Sequence, residues 1–176
     1  MYKKKHFWLV GILTGFFLGM LVFLLQLLLF NLAISSFSLL YVLIYLLPLF
    51  GMYHAAKRLR ENFGLGVLHF SQGFRIAMLT GFVSAVVMSL MIYYVYGNLF
   101  IPALQQRASQ LHAELLATDV TKTFDSMKER KQLITKLLSP ISLSVYYFVV
   151  NIVLLPVFAF LIAIFARRSR RDITDL

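Results

Sequence analysis

Residues 6–56 read HFWLVGILTGFFLGMLVFLLQLLLFNLAISSFSLLYVLIYLLPLFGMYHAA: 51 residues between Lys5 and Lys57 without one Asp, Glu, Lys or Arg. A helix crosses a bilayer in about 20 apolar residues, so a run this long holds two crossings and a turn. The turn is read at Asn31–Ser38, where Asn31, Ser35, Ser36 and Ser38 interrupt the Leu/Phe run. Helix one then covers 7–32 and helix two covers 39–56. The apolar run after Lys3, Lys4 and Lys5 exceeds the 7–15 residues of a signal-peptide core, so it reads as an uncleaved anchor.

Two further uncharged runs follow, Ile76–Tyr96 with 21 residues and Leu143–Phe165 with 23. They are read as helix three (76–96) and helix four (143–165). Composition agrees: of 176 residues, 60% are hydrophobic and 14% charged, against about 45–50% and 25% in soluble domains. An ordinary soluble enzyme, a disordered chain and a secreted disulfide scaffold are excluded on that ground. The expected fold is an all-α membrane protein, a single domain over 1–176.

The net charge of +10 comes from 17 Lys+Arg against 7 Asp+Glu. The bases flank apolar runs, which fits anionic headgroups and the positive-inside rule better than nucleic acid. Lys3–Lys5, then Lys57, Arg58, Arg60 and Arg75, then Arg167, Arg168, Arg170 and Arg171 make eleven on one side. The opposite side has none in the first turn and six in segment 97–142. Both termini are therefore expected in the cytoplasm of a bacterial inner-membrane protein. Tyr93, Tyr94, Tyr96, Tyr146 and Tyr147 fall at the outer interface in this reading, and Trp8 and Tyr53 near the inner one, where amphipathic rings prefer to sit.

Segment 97–142 is expected to form an extracytoplasmic helical hairpin between helices three and four. Leu104, Ala108, Leu111 and Leu115 recur at helical spacing, as do Phe124, Met127, Ile134, Leu137 and Leu138. Pro102 can start the first helix, and Thr118–Thr121 supplies turn and capping residues before the second. The apolar stripes either pack on each other and the membrane, or dock a partner through Leu104, Leu111, Leu115, Phe124, Met127 and Ile134.

Helix one holds Leu13-Thr14-Gly15-Phe16 and helix three Leu79-Thr80-Gly81-Phe82. Helix two holds Leu46-Leu47-Pro48-Leu49-Phe50 and helix four Leu154-Leu155-Pro156-Val157-Phe158. This is the pattern of a duplicated helical hairpin, two copies of the same orientation, with an insertion in the second; chance matching between Leu-rich helices is the competing account. Gly11, Gly15 and Gly19 make overlapping GxxxG patterns, and Ala77, Gly81 and Ala85 repeat the spacing. Lipid supplies no hydrophobic drive between helices, so such residues mark close helix contacts, within the chain or with a partner.

Chemistry is sparse. All seven acids lie outside the four runs, and there is no cysteine, so thiolate metal sites and a Cys nucleophile are excluded. His6, His54, His69 and His112 share no metal-ligand spacing, and HExxH, P-loop and GxSxG patterns are absent. Gln26, Thr80, Ser84, Ser89 and Asn151 are polar candidates within the spans, for interhelical hydrogen bonds or, less simply, a substrate path. No catalytic residue, cofactor or metal is expected. The connection Asn62–Phe74, NFGLGVLHFSQGF, should lie in the interface plane or tuck under the bundle.

The phrase His69-Phe70-Ser71-Gln72-Gly73-Phe74-Arg75 leads into Leu79-Thr80-Gly81-Phe82. With Tyr93-Tyr94, Ile101-Pro102, the charged hairpin and the closing Arg167-Arg168, it resembles a four-span family of small inner-membrane proteins from Bacteroidota-type bacteria, a domain of unknown function. The resemblance covers nearly the whole chain, best from residue 63 onward. It implies no activity or cofactor, and it implies a membrane glycosyltransferase system as a neighbour to serve. Three functions compete. The first is a non-enzymatic accessory or assembly subunit that packs or docks a protein partner or a second copy in the lipid membrane. The second is a small transporter or lipid-handling protein. The third, a membrane enzyme, is opposed by the lack of intramembrane acids and histidines.

Overall fold

The structure is a computed structural model and describes residues 4–31, 39–63, 66–118 and 132–167. Its elements are helical: α1 (Lys4–Asn31), α2 (Leu39–Phe63), α3 (Phe70–Asn98), α4 (Ile101–Thr118) and α5 (Pro140–Ala166). A further helical run occupies 132–137. Within it and beyond, Ile134 O accepts from the Leu138 N–H at 3.0 Å. Apolar runs become helices because a helix satisfies every backbone N–H and C=O inside itself, which lipid cannot do. Three of the described helices are long and apolar enough to cross a membrane: Lys5–Phe30, Phe70–Asn98 and Pro140–Ala166. Most of the turn read at Asn31–Ser38, the capping run at Thr118–Thr121, and both Phe124 and Met127 lie outside the described residues.

The helix ends have identifiable chemistry. At α5, Ser139 Oγ accepts a hydrogen bond from the Ser142 N–H at 3.3 Å, and Pro140 follows at the first helical position. Serine as the cap and proline just inside is the arrangement that satisfies an exposed amide and loses none. At α3, the His69 N–H donates to Gln72 Oε1 at 3.2 Å, half of a capping box. That contact starts α3 at Phe70, six residues before the uncharged run.

The chain divides into two compact units, one of residues 1–88 with 148–176 and one of residues 89–147. In the first, α1 runs parallel to α3. Gly11 faces Leu79, Gly15 faces Thr80 and Val83, and Gly19 faces Ser84 and Val87, so the contacts climb both helices in the same order. Gly51 of α2 faces Leu18 of α1. Helices α3 and α5 run antiparallel, with Gly73 against Ala163 and Gly81 against Leu155. The core at the polar ends is built from small residues: Ala55, Ala56, Ala77, Ala159 and Ala166 are fully buried with Leu59 and Ile76. Their size lets backbones approach closely.

From Gly66 onward the connection tucks under this unit. Leu68 is completely buried in the same core, and the Phe70 ring sits edge-on to Phe160 at 5.7 Å. Gly66 has φ 82°, and its N–H donates to Arg60 O at 3.2 Å, closing the end of α2 as a left-handed residue can. A side chain in that conformation costs about 1–2 kcal/mol. Gly66→Ala should lower the unfolding free energy by that amount and Gly66→Asn by less, as measured by denaturant titration in mixed micelles. Equal stability of all three would mean that the turn does not hold the helix end.

In the second unit, the distal end of α3 packs on the start of α5. Gly97 lies beside Pro140, and Ser144 Oγ donates to Ser89 O at 2.8 Å.

Candidate functional site

Three places are candidate sites: the glycine contacts, the groove between α2 and α5, and the α4 region. The glycine stripes do not face each other. A Cβ on Gly15 would stand 2.6 Å from Thr80 O and 2.8 Å from Val83 Cβ; on Gly19 it would stand 2.7 Å from Ser84 O and 2.9 Å from Val87 Cβ. On Gly11 it would meet the Leu79 side chain, and on Gly81 the ends of Met52 and Leu155. Ala77 and Ala85 are buried on the same helix as Gly81. The α1 glycines thus form a notch for a ridge of Leu79, Val83 and Val87, while Gly81 belongs to the α2 and α5 side of α3. Carbonyls of Thr80 and Ser84 occupy the direction of the glycine α-hydrogens, the geometry of weak Cα–H···O contacts at helix crossings.

Gln26, Thr80, Ser84 and Ser89 are all buried. Their expected interhelical hydrogen bonds are only partly found. Ser89 contributes its carbonyl, to Ser144, and not its hydroxyl. Thr80 Oγ1 and Gln26 Oε1 have no hydrogen-bond partner among the described residues. Asn151 Nδ2 approaches Met88 Sδ at 3.9 Å, a weak acceptor. Among the described residues, no three His, Asp or Glu side chains come together as a metal site would require.

Between α2 and α5 lies a groove of about 390 Å³, lined by Leu49, Phe50, Tyr53, Leu161, Ile162 and Phe165. Its volume falls among those of ligand pockets, about 300–1,000 Å³. Phe50 and Phe165 stand 69% and 72% exposed along it. Arg60, its side chain only 12% exposed, donates through Nη1 to Ala166 O at 3.3 Å and ties the two helix ends together. Arginine suits that place because its charge offsets the negative C-terminal end of α5. Glu61 lies 3.4 Å from Arg60 and 4.0 Å from Lys57. Sequence reading missed this groove, since its walls are 112 residues apart in the chain (Leu49 to Leu161) and each reads as an ordinary apolar turn.

In the second unit, Leu104 is buried and lines a cleft of about 180 Å³ with Ile101, Gln105, Ala108, Thr135 and Leu138. Ile134 is half-buried. Leu133 and Leu137, one turn apart, are 58% and 67% exposed. The side chains of Leu111 and Leu115, on α4, and the whole of Phe124 and Met127 are outside what the structure describes. Among the described residues of 97–142, the large apolar side chains displayed are Leu99, Ile101, Leu133, Leu137 and Ile141, and Leu104 is not one of them.

No curated protein and no solved structure matches the chain. A family described as "Protein of unknown function (DUF4199)" matches over residues 7–168, and the chain belongs to that family.

Proposed function

We propose that the protein is a non-enzymatic accessory subunit of a bacterial inner membrane, with four spans, cytoplasmic termini and segment 97–142 outside, docking a protein partner. The fourth span is α2, whose residues 39–56 carry no charge. The eleven-to-six division of Lys+Arg supports the orientation.

The observation that carries the docking reading is the exposure of Leu133 and Leu137 on a helical run outside the three candidate spans. Full burial of a leucine side chain is worth about 1.5–3 kcal/mol, so covering the pair supplies a usable fraction of a binding energy. Six bases and four acids in segment 97–142 supply a charged rim, which steers encounter and fixes register.

The test is purification of the full chain in mild detergent with identification of stoichiometric partners. Leu133→Ser with Leu137→Ser should lower partner recovery at least tenfold with insertion unchanged. Replacement of 97–142 by a short polar turn should abolish recovery. A partner retained by both variants would reject docking through this segment.

A second reading, a lipid-handling protein or small transporter, draws on the groove between α2 and α5 and on the same-orientation hairpins proposed from the sequence. A liposome assay that detects solute or lipid movement would favour it.

A further inference from the structure

We propose that the α2–α5 groove is a binding site for one acyl chain of an anionic phospholipid, whose phosphate is held by Lys57, Arg60 and Arg167. The described walls suit an apolar chain: Leu49, Phe50, Leu161, Ile162 and Phe165, with Tyr53 as the one described lining residue carrying a polar tip.

The basic groups stand at one end. Lys57 lies one turn beyond Tyr53 and two turns beyond Leu49 on the same helix face, about 12 Å from Leu49 along the axis at 1.5 Å per residue. Arg167 follows Phe165 by two residues and is exposed. Arg60 is anchored between these helix ends by its bond to Ala166 O, and a guanidinium has five N–H donors, so donors remain for a phosphate. Among the described residues, Glu61 is the one acid paired to this cluster, three bases against one acid, which gives the described part of the mouth a positive balance.

An apolar slot running down from a positive mouth is the shape of a lipid with its chain in the hydrocarbon and its phosphate at the interface. A transmembrane helix of a partner would fill the slot and make no use of the bases. Anionic headgroups gain about 1 kcal/mol per nearby Lys or Arg, so charge is what separates this site from the surrounding lipid-facing surface. The inference requires the chain to lie in a bilayer and is independent of docking through 97–142. It supplies an occupant for the groove on which the lipid-handling reading draws, without requiring that the lipid be moved.

The test is native mass spectrometry of the full chain purified in detergent with equal amounts of phosphatidylglycerol and phosphatidylcholine of identical chains. One phosphatidylglycerol per chain should be retained, at least tenfold over phosphatidylcholine. Lys57→Gln with Arg167→Gln should reduce that preference to within threefold. Leu161→Trp, which fills the groove, should abolish retention of both lipids. Leu24→Trp, on the exposed face of α1, should leave it intact. Equal retention of the two lipids, or equal effects of the two tryptophans, would overturn the site. A change of oligomeric state with Leu161→Trp would also overturn it, by showing that a second copy covers the groove. If lipid is retained as expected but does not move between vesicles, the lipid-handling reading fails and the site stands.

Discussion

Gly15→Ala and Gly19→Ala should each destabilise the folded chain by about 1–3 kcal/mol, the usual cost of forcing extra atoms into a packed contact. Gly11→Ala and Gly81→Ala should change stability by less than about 1 kcal/mol. All four lie in helix interiors where alanine carries the better intrinsic propensity, by roughly 1 kcal/mol, so propensity alone predicts four gains. The difference lies in what each new methyl meets. At Gly15 and Gly19 it meets backbone carbonyls, Thr80 O and Ser84 O, together with the Cβ atoms of Val83 and Val87. None of these can move unless α3 moves. At Gly11 it meets the Leu79 and Ile76 side chains and at Gly81 the ends of Leu155 and Met52, flexible side chains that can yield without moving a backbone. Gly15→Leu exceeds what either helix accommodates and should yield no folded protein; Gly81→Leu should fold with a lowered midpoint. Denaturant titration in mixed micelles ranks the series. Equal effects at the four positions would mean that α1 and α3 do not meet as described.

The reasons for what the sequence revealed and concealed are physical. Helices α1, α3 and α5 were legible because a long uncharged run has few alternatives in lipid. Their C-terminal ends were legible to within two residues, but their starts and the end of α2 were not, because hydropathy marks where polarity changes and a helix stops only where its hydrogen bonds stop. Helix α2 therefore continues through Lys57, Arg58 and Arg60 to Phe63, where Gly66 turns the chain. The early start of α3 was encoded in His69-x-x-Gln72, a capping arrangement disguised by the absence of serine or threonine at its first position.

The glycine and alanine stripes were recognisable as contact residues by size, but their partners were not. Which face of α3 meets α1 depends on the rotation of the helix about its axis, and a spacing of four is shared by Ala77-Gly81-Ala85 and by Leu79-Val83-Val87 alike. The packing set the latter into the α1 notch. Gly15 and Gly81 occupy matching positions in the proposed duplication but have different surroundings, α3 for one and α2 with α5 for the other. The groove and its Arg60–Ala166 tie, joining residues 106 apart, carry no local signature at all. In the α4 region, the helical period identified Leu104 as apolar-faced, yet burial assigns it to the inside of the cleft; period alone does not tell which side of a stripe is already occupied.

The central claim is the arrangement across the membrane: α2 as a fourth crossing, with segment 97–142 on the side opposite the termini. The chain has no cysteine, so single cysteines report without background. Ser36→Cys lies between α1 and α2, Gln110→Cys on α4, and Asp172→Cys after α5. In spheroplasts treated with a membrane-impermeant maleimide, positions 36 and 110 should label before lysis and position 172 only after it. With three crossings instead of four the two ends of the chain must lie on opposite sides, which one further variant, Lys3→Cys, detects directly. Labelling of 3 and 172 only after lysis, with 36 and 110 open from outside, is the result expected here. Labelling of 36 and 110 from opposite sides, or of 172 together with 110, would contradict it.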